Sequence, residues 1–151
     1  MIVIQRLYEL GLEIKAAEIG INDFKMVQEE SEVIKNLQNH KTADNHLLVI
    51  VIPTINSGRS TSIDNIQFNN QMQFLVLEKR DSKIAANNHE DMMVYKRTQD
   101  TLNNILEYFF QHVDDDESNC ELFRNFNPSS FEIDPVKGLS DCFGWSWAFN
   151  L

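Results

Sequence analysis

Large apolar residues alternate with small or polar ones at the end of the chain. Phe143, Trp145, Trp147, Phe149 and Leu151 alternate with Gly144, Ser146, Ala148 and Asn150. Successive side chains of a strand point to opposite faces, so this pattern predicts a strand with one strongly apolar face. A helix would scatter the same residues around its circumference. Both tryptophans of the protein lie here, and the chain closes without a polar tail, which predicts a strand anchored by aromatic burial.

The opposite period governs residues 2–17. Val3, Leu7, Leu10, Ile14 and Ala17 recur at spacings of four and three, the stripe of an amphipathic helix, and Gly20 suits its stop. Residues 24–28 read as a short edge strand. Residues 29–38 read as a polar helical turn or loop with only Val33, Ile34 and Leu37 to bury. Residues 47–52 are apolar on both parities and end at Pro53, which predicts a central strand covered on both faces. Residues 68–79 carry Phe68, Met72, Phe74 and Val76 on one parity, with Leu75 and Leu77 joining on the other. The two runs predict an antiparallel pair joined by a mobile loop over residues 54–66, rich in Asn, Ser, Gly and Thr.

Asn87, with Glu90 three positions later, has the form of a helix N-cap. Tyr95, Thr98, Leu102, Ile105, Leu106, Phe109 and Val113 then share one face of a long helix. Asp114, Asp115, Asp116 and Glu117 follow it. Acidic residues oppose the dipole at a helix C-terminus, so this run is assigned to a loop. Residues 131–135 are expected to pair with the closing strand across residues 136–142. The order predicts a single α+β domain over residues 1–151: a mixed or antiparallel sheet packed against an N-terminal helix and a long second helix.

Composition narrows the function. Of 151 residues, 23 are acidic and 13 basic, a net charge of −10, and no Lys/Arg cluster offers a nucleic-acid-binding patch. An acidic surface still lets DNA pass nearby, because repulsion keeps a polyanion from sticking. No apolar run approaches the ~20 residues that span a bilayer. Residues 1–9 lack the basic start of a signal peptide, so a soluble protein of the reducing cytoplasm is expected. Cys120 and Cys142 are too few for a disulfide framework and are expected to be inert.

Motifs of catalysis are weak. The five glycines build no phosphate-cradling loop, and the histidines at 40, 46, 89 and 112 show no metal-ligand spacing. The acidic run 114–117 lacks the alternation and central glycine of a calcium loop. Glu78–Lys79 ends a strand as in some nucleases, but the residue that separates acid and lysine there is missing. His89 with Asp91, or Cys120 with His112, could form a pair, yet nothing in the sequence orients or activates either. The expectation is a non-enzyme with no catalytic, cofactor-binding or metal-binding residues.

The layout resembles the small tail-terminator, tail-completion or neck-ring (head-tail joining) proteins of tailed bacteriophages. The likeness rests on the helix 2–17, the strand 47–52 ending at Pro53, and the loop-bearing connection into strand 68–79. The long helix 89–113 and the closing hairpin 131–151, with its Gly144–Trp145 pair, complete it. The segment 29–44 departs from that layout, being longer and more polar. The resemblance implies a homo-oligomeric ring in the virion, set beside portal, neck or tail proteins, with DNA passing through without sequence-specific binding. It implies no catalysis, no cofactor and no membrane association. A small acidic adaptor or inhibitor that covers a basic partner protein is the alternative from a different class.

Overall fold

The computed structural model describes residues 4–17, 20–28, 30–41, 46–57, 68–81, 87–114 and 126–150. Among these residues, three helices and five strands follow one another as α1 (Ile4–Ala16), β1 (Ile21–Val27), α2 (Glu30–Asn39), β2 (His46–Ser57), β3 (Phe68–Lys79), α3 (Asn88–Asp114), β4 (Asn127–Leu139) and β5 (Cys142–Asn150). The strands form one mixed sheet in the order β1-β2-β3-β5-β4. The fold is α+β, with the N-terminal helix and the long α3 in the expected places.

β2 is central, as its two-sided apolar run requires. It pairs antiparallel with β3, Leu48 opposite Val76 and Ile50 opposite Phe74. Its other neighbour is β1, which runs parallel to it. A parallel pair needs a crossover, and α2 supplies it. The polar stretch 29–38 is thus a true helix, held by two buried contacts, Val33 and Leu37. β2 also continues past Pro53 to Ser57, where a strand end is expected from the sequence. The pairing register shifts between Val51 and Thr54, an irregularity that accommodates a residue without an N–H. The loop expected over 54–66 lies, from residue 58 onward, outside the described residues.

Alternation along the strands divides the core in two. On the first face, Phe24, Leu48, Ile50, Phe74, Val76, Trp147 and Phe149 meet Leu7, Leu10 and Ile14 of α1 and Leu102, Ile105 and Phe109 of α3. On the second face, Val27, Leu47, Val49, Leu75, Leu77 and Cys142 meet Val33 and Leu37 of α2. Helix α1 lies so close to β1 that a Cβ at Gly11 would overlap the Phe24 ring.

The closing strand behaves as its alternation predicts. Trp147 is fully buried, stacks on Phe74 at 4.3 Å and meets Phe109 edge-on at 5.6 Å. Trp145 is half-buried and donates its indole N–H to the Tyr95 carbonyl of α3 at 3.0 Å. β4 pairs antiparallel with β5 over more residues than the expected 131–135. A two-residue turn joins them, with Ser140 and Asp141 both at positive φ (51° and 61°), the conformation of a tight hairpin turn.

Candidate functional site

The strongest polar constellation sits at one end of the β2–β3 pair, beneath α3. The hairpin register sets His46 opposite Glu78. His46 Nε2 lies 2.9 Å from a Glu78 carboxylate oxygen, and its Nδ1 lies 2.7 Å from the Thr101 hydroxyl. Arg97, one turn before Thr101 on α3, donates to both Glu78 oxygens at 2.6 and 3.1 Å. With Nε2–H donating to Glu78, Nδ1 is free to accept the Thr101 hydroxyl proton, so each neutral-ring nitrogen has a complementary partner. Burial pushes the Glu78 carboxyl up, but the hydrogen bonds from His46 and Arg97 outweigh it and hold its pKa below the usual value.

Hydroxyl, imidazole and carboxylate stand here in the order of a nucleophilic relay. Their setting is that of a structural clamp. His46 is 4% exposed and Thr101 6%. A Cβ added to Gly20 would come within 3.1 Å of the Thr101 hydroxyl, so the backbone before β1 closes over it. The network ties β2, β3 and α3 together.

Of the pairs weighed from the sequence, two lie within the described residues. His89 is exposed, whereas Asp91 faces Arg80 at 3.3 Å. Lys79 turns away from Glu78 and donates to the Leu37 and Gln38 carbonyls at 3.2 and 3.5 Å, closing the C-terminal turn of α2. Cys120 and the His112 side chain lie outside the described residues, as do the side chains of the acidic run 114–117. Cys142 is buried, and burial pushes its thiol up to about 11, which keeps it protonated and inert. Among the described residues no group of three His, Cys, Asp or Glu could hold a metal ion, and no described helix is long and apolar enough to cross a membrane.

Surface features carry more information than the clamp. On the second face, α2 covers the β1–β2 side. Farther across, Val51, Gln73, Leu75, Val136 and Leu139 line an open groove of about 300 Å3 with Val33 of α2. Beside it, Val51, Ile52, Gln71, Gln73, Glu132, Asp134, Ser146 and Ala148 line a smaller one of about 260 Å3. The two grooves form a mixed face that no described helix covers, apolar at Val51, Leu75, Val136 and Leu139 and polar or acidic at Gln71, Gln73, Glu132 and Asp134. Gly144 is not part of this opening: a Cβ there would overlap the Val76 carbonyl of β3, so its smallness serves the chain's own sheet.

The outer strands are the second feature. β1 and β4 are the two ends of the sheet. Six large apolar residues are exposed among the described ones: Ile4, Tyr8, Leu12, Met92, Phe110 and Ile133. Ile4, Tyr8 and Leu12 form one stripe of α1 beside β1, with the Tyr8 ring 5.5 Å from Phe24. Phe110 and Ile133 lie beside β4, Phe110 being 5.9 Å from the Phe131 ring. Compared with protein-family models and with curated proteins, the chain matches none.

Proposed function

We propose that the protein is a non-enzymatic structural subunit that assembles with copies of itself into a ring, of the kind found at the neck or head-tail junction of tailed bacteriophages. One observation carries this reading: the half of the second sheet face around Gln71, Gln73, Glu132, Asp134, Ser146 and Ala148 that no described helix covers. A wholly apolar open face would call for a tightly packed lid. The polar and acidic side chains of that half, Gln71, Gln73, Glu132 and Asp134, suit water and a passing polyanion, which they repel rather than bind. The net charge of −10 supports the same use. The helices of the first face would then lie on the outside of the ring and the open face toward its channel.

Portal, neck or tail proteins would be the neighbours above and below, and the virion the place of residence. The experiment is a search for the protein in purified particles from cells that carry its gene. Detection in particles, with imaging that places one ring of it at the neck, supports the reading. Its absence from particles, together with a stable one-to-one complex with a basic soluble protein, would favour the acidic adaptor instead.

A further inference from the structure

We infer that the subunits join edge to edge, the outer strand β4 of one copy pairing antiparallel with β1 of the next. The inference rests on the ring reading and names the contact that would build it.

Strand directions come first. β1 and β2 are parallel, and every other neighbouring pair is antiparallel, so β4 runs opposite to β1. Copies repeated around an axis along the strands keep the same end up and the same sheet face outward. The edge of β4 then meets the edge of β1 in antiparallel orientation without any refolding. Such a contact joins two different surfaces, so it is heterologous and propagates until it closes.

The exposed apolar residues match this arrangement. Phe131 stacks on Trp147 and Phe149, and therefore lies on the helix-covered face. Ile133, two residues on, points to that face too. Ile133 and Phe110 at the β4 edge, and Ile4, Tyr8 and Leu12 at the β1 edge, are thus on the same side of the sheet. Joining the edges would set one group against the other. Five of the six exposed large apolar residues would be covered by this single contact, and only Met92 would be left.

The opposite face brings charges of both signs to the junction. Lys25 shares the parity of Val27, whose side chain belongs to the second-face core. Glu132 and Asp134, alternating with Ile133, point to the second face as well, into the groove beside Ser146 and Ala148. Lys25 is already paired with Asp23 of the same strand at 3.0 Å, so the junction would bring a lysine and an aspartate of one copy toward two carboxylates of the next, and the apolar residues rather than charge carry the contact. Pro128 and Pro135 lack N–H groups, so they bracket residues 129–134 as the stretch of β4 able to pair fully. That length suits β1, which has seven residues.

The test uses two single variants, Leu12→Asp and Ile133→Asp, each at an exposed position, with native mass as the readout and thermal melting as the check of folding. Met92→Asp is the control; it lies 18 residues before Phe110 on α3, about 27 Å along the helix. Each edge variant alone is expected to be a folded monomer, and the control to assemble as the wild type does. Mixed at high concentration, the two edge variants are expected to form a dimer containing one of each, because one intact β4 edge then meets one intact β1 edge. Wild-type assembly that either edge variant leaves unchanged would overturn the edge contact and leave the ring standing. A folded equimolar mixture that stays monomeric would do the same. A monomeric wild type would overturn the ring itself.

Discussion

Trp147 concentrates the first-face packing in one side chain. Its ring touches Phe74, Phe109, Phe131 and Phe149, which bring together β3, α3, β4 and its own strand. Trp147→Ala is expected to cost about 3–5 kcal/mol in urea unfolding, since the cavity cannot close around four rigid rings. Trp147→Phe should cost clearly less, because the indole N–H is buried without a hydrogen-bond partner and its loss is no penalty. Equal costs for both variants would contradict this packing. Glu78 is the polar counterpart. Glu78→Gln is expected to lose about 2–3 kcal/mol at neutral pH, since the negative charge is lost and one accepting oxygen becomes an NH2 that faces the donors of His46 or Arg97. The folded-state pKa of Glu78 is depressed, so its contribution is complete above the ordinary value of 4.5 and is lost as pH falls through the lower folded value. The difference between wild type and Glu78→Gln should therefore shrink below pH 4.5; a difference independent of pH would show that the carboxylate is not what matters. The burial of Trp147 was legible in the alternation of the last strand. The Glu78 clamp was not, because His46 and Thr101 are 32 and 55 residues from their partners and emerge only once the hairpin register is fixed.

At the scale of elements, periodicity located α1, β2, β3, α3 and β5, where long runs bury one clear face. The Asn87 cap was legible too, its side-chain oxygen accepting the Glu90 N–H at 2.9 Å. What was legible only in part was set by tertiary pairing. α2 has a short apolar stripe because only one corner of the second face needs covering, so its sequence reads as a polar helical turn or loop. β4 is exposed along most of its length, and an edge strand needs little alternation. The direction of β1 depends on the crossover, which no local pattern encodes. The β4–β5 turn holds a residue-level conflict next to a register shift between Lys137 and Leu139. Ser140 and Asp141 both adopt the left-handed conformation, for which Asn-Gly is preferred. Asp141→Gly is expected to stabilise the protein by about 1 kcal/mol, read as a higher thermal midpoint. A lower midpoint would mean that Asp141 contributes an interaction beyond its backbone conformation.

Among the described residues, the molecule presents one sheet with unequal faces, ended by β1 and β4. Helices α1 and α3 cover the first face and α2 a corner of the second, and the rest of that face sets Gln73, Glu132 and Asp134 beside Val51, Leu75, Val136 and Leu139. The α+β class and the acidic balance were readable from the sequence, whereas the open face depends on which strands lie side by side. Ser146 and Ala148 alone do not reveal it; their neighbours Glu132 and Asp134 lie more than ten residues away in the chain. A subunit built this way gains by joining its ends, because the exposed apolar side chains cluster there. The most direct test is the native mass of the purified wild-type protein over a range of concentrations. The ring account predicts one closed species whose mass is a fixed whole-number multiple of the subunit, unchanged on dilution until the ring dissociates. A monomer at every concentration, or an open series of ever larger species, would contradict it.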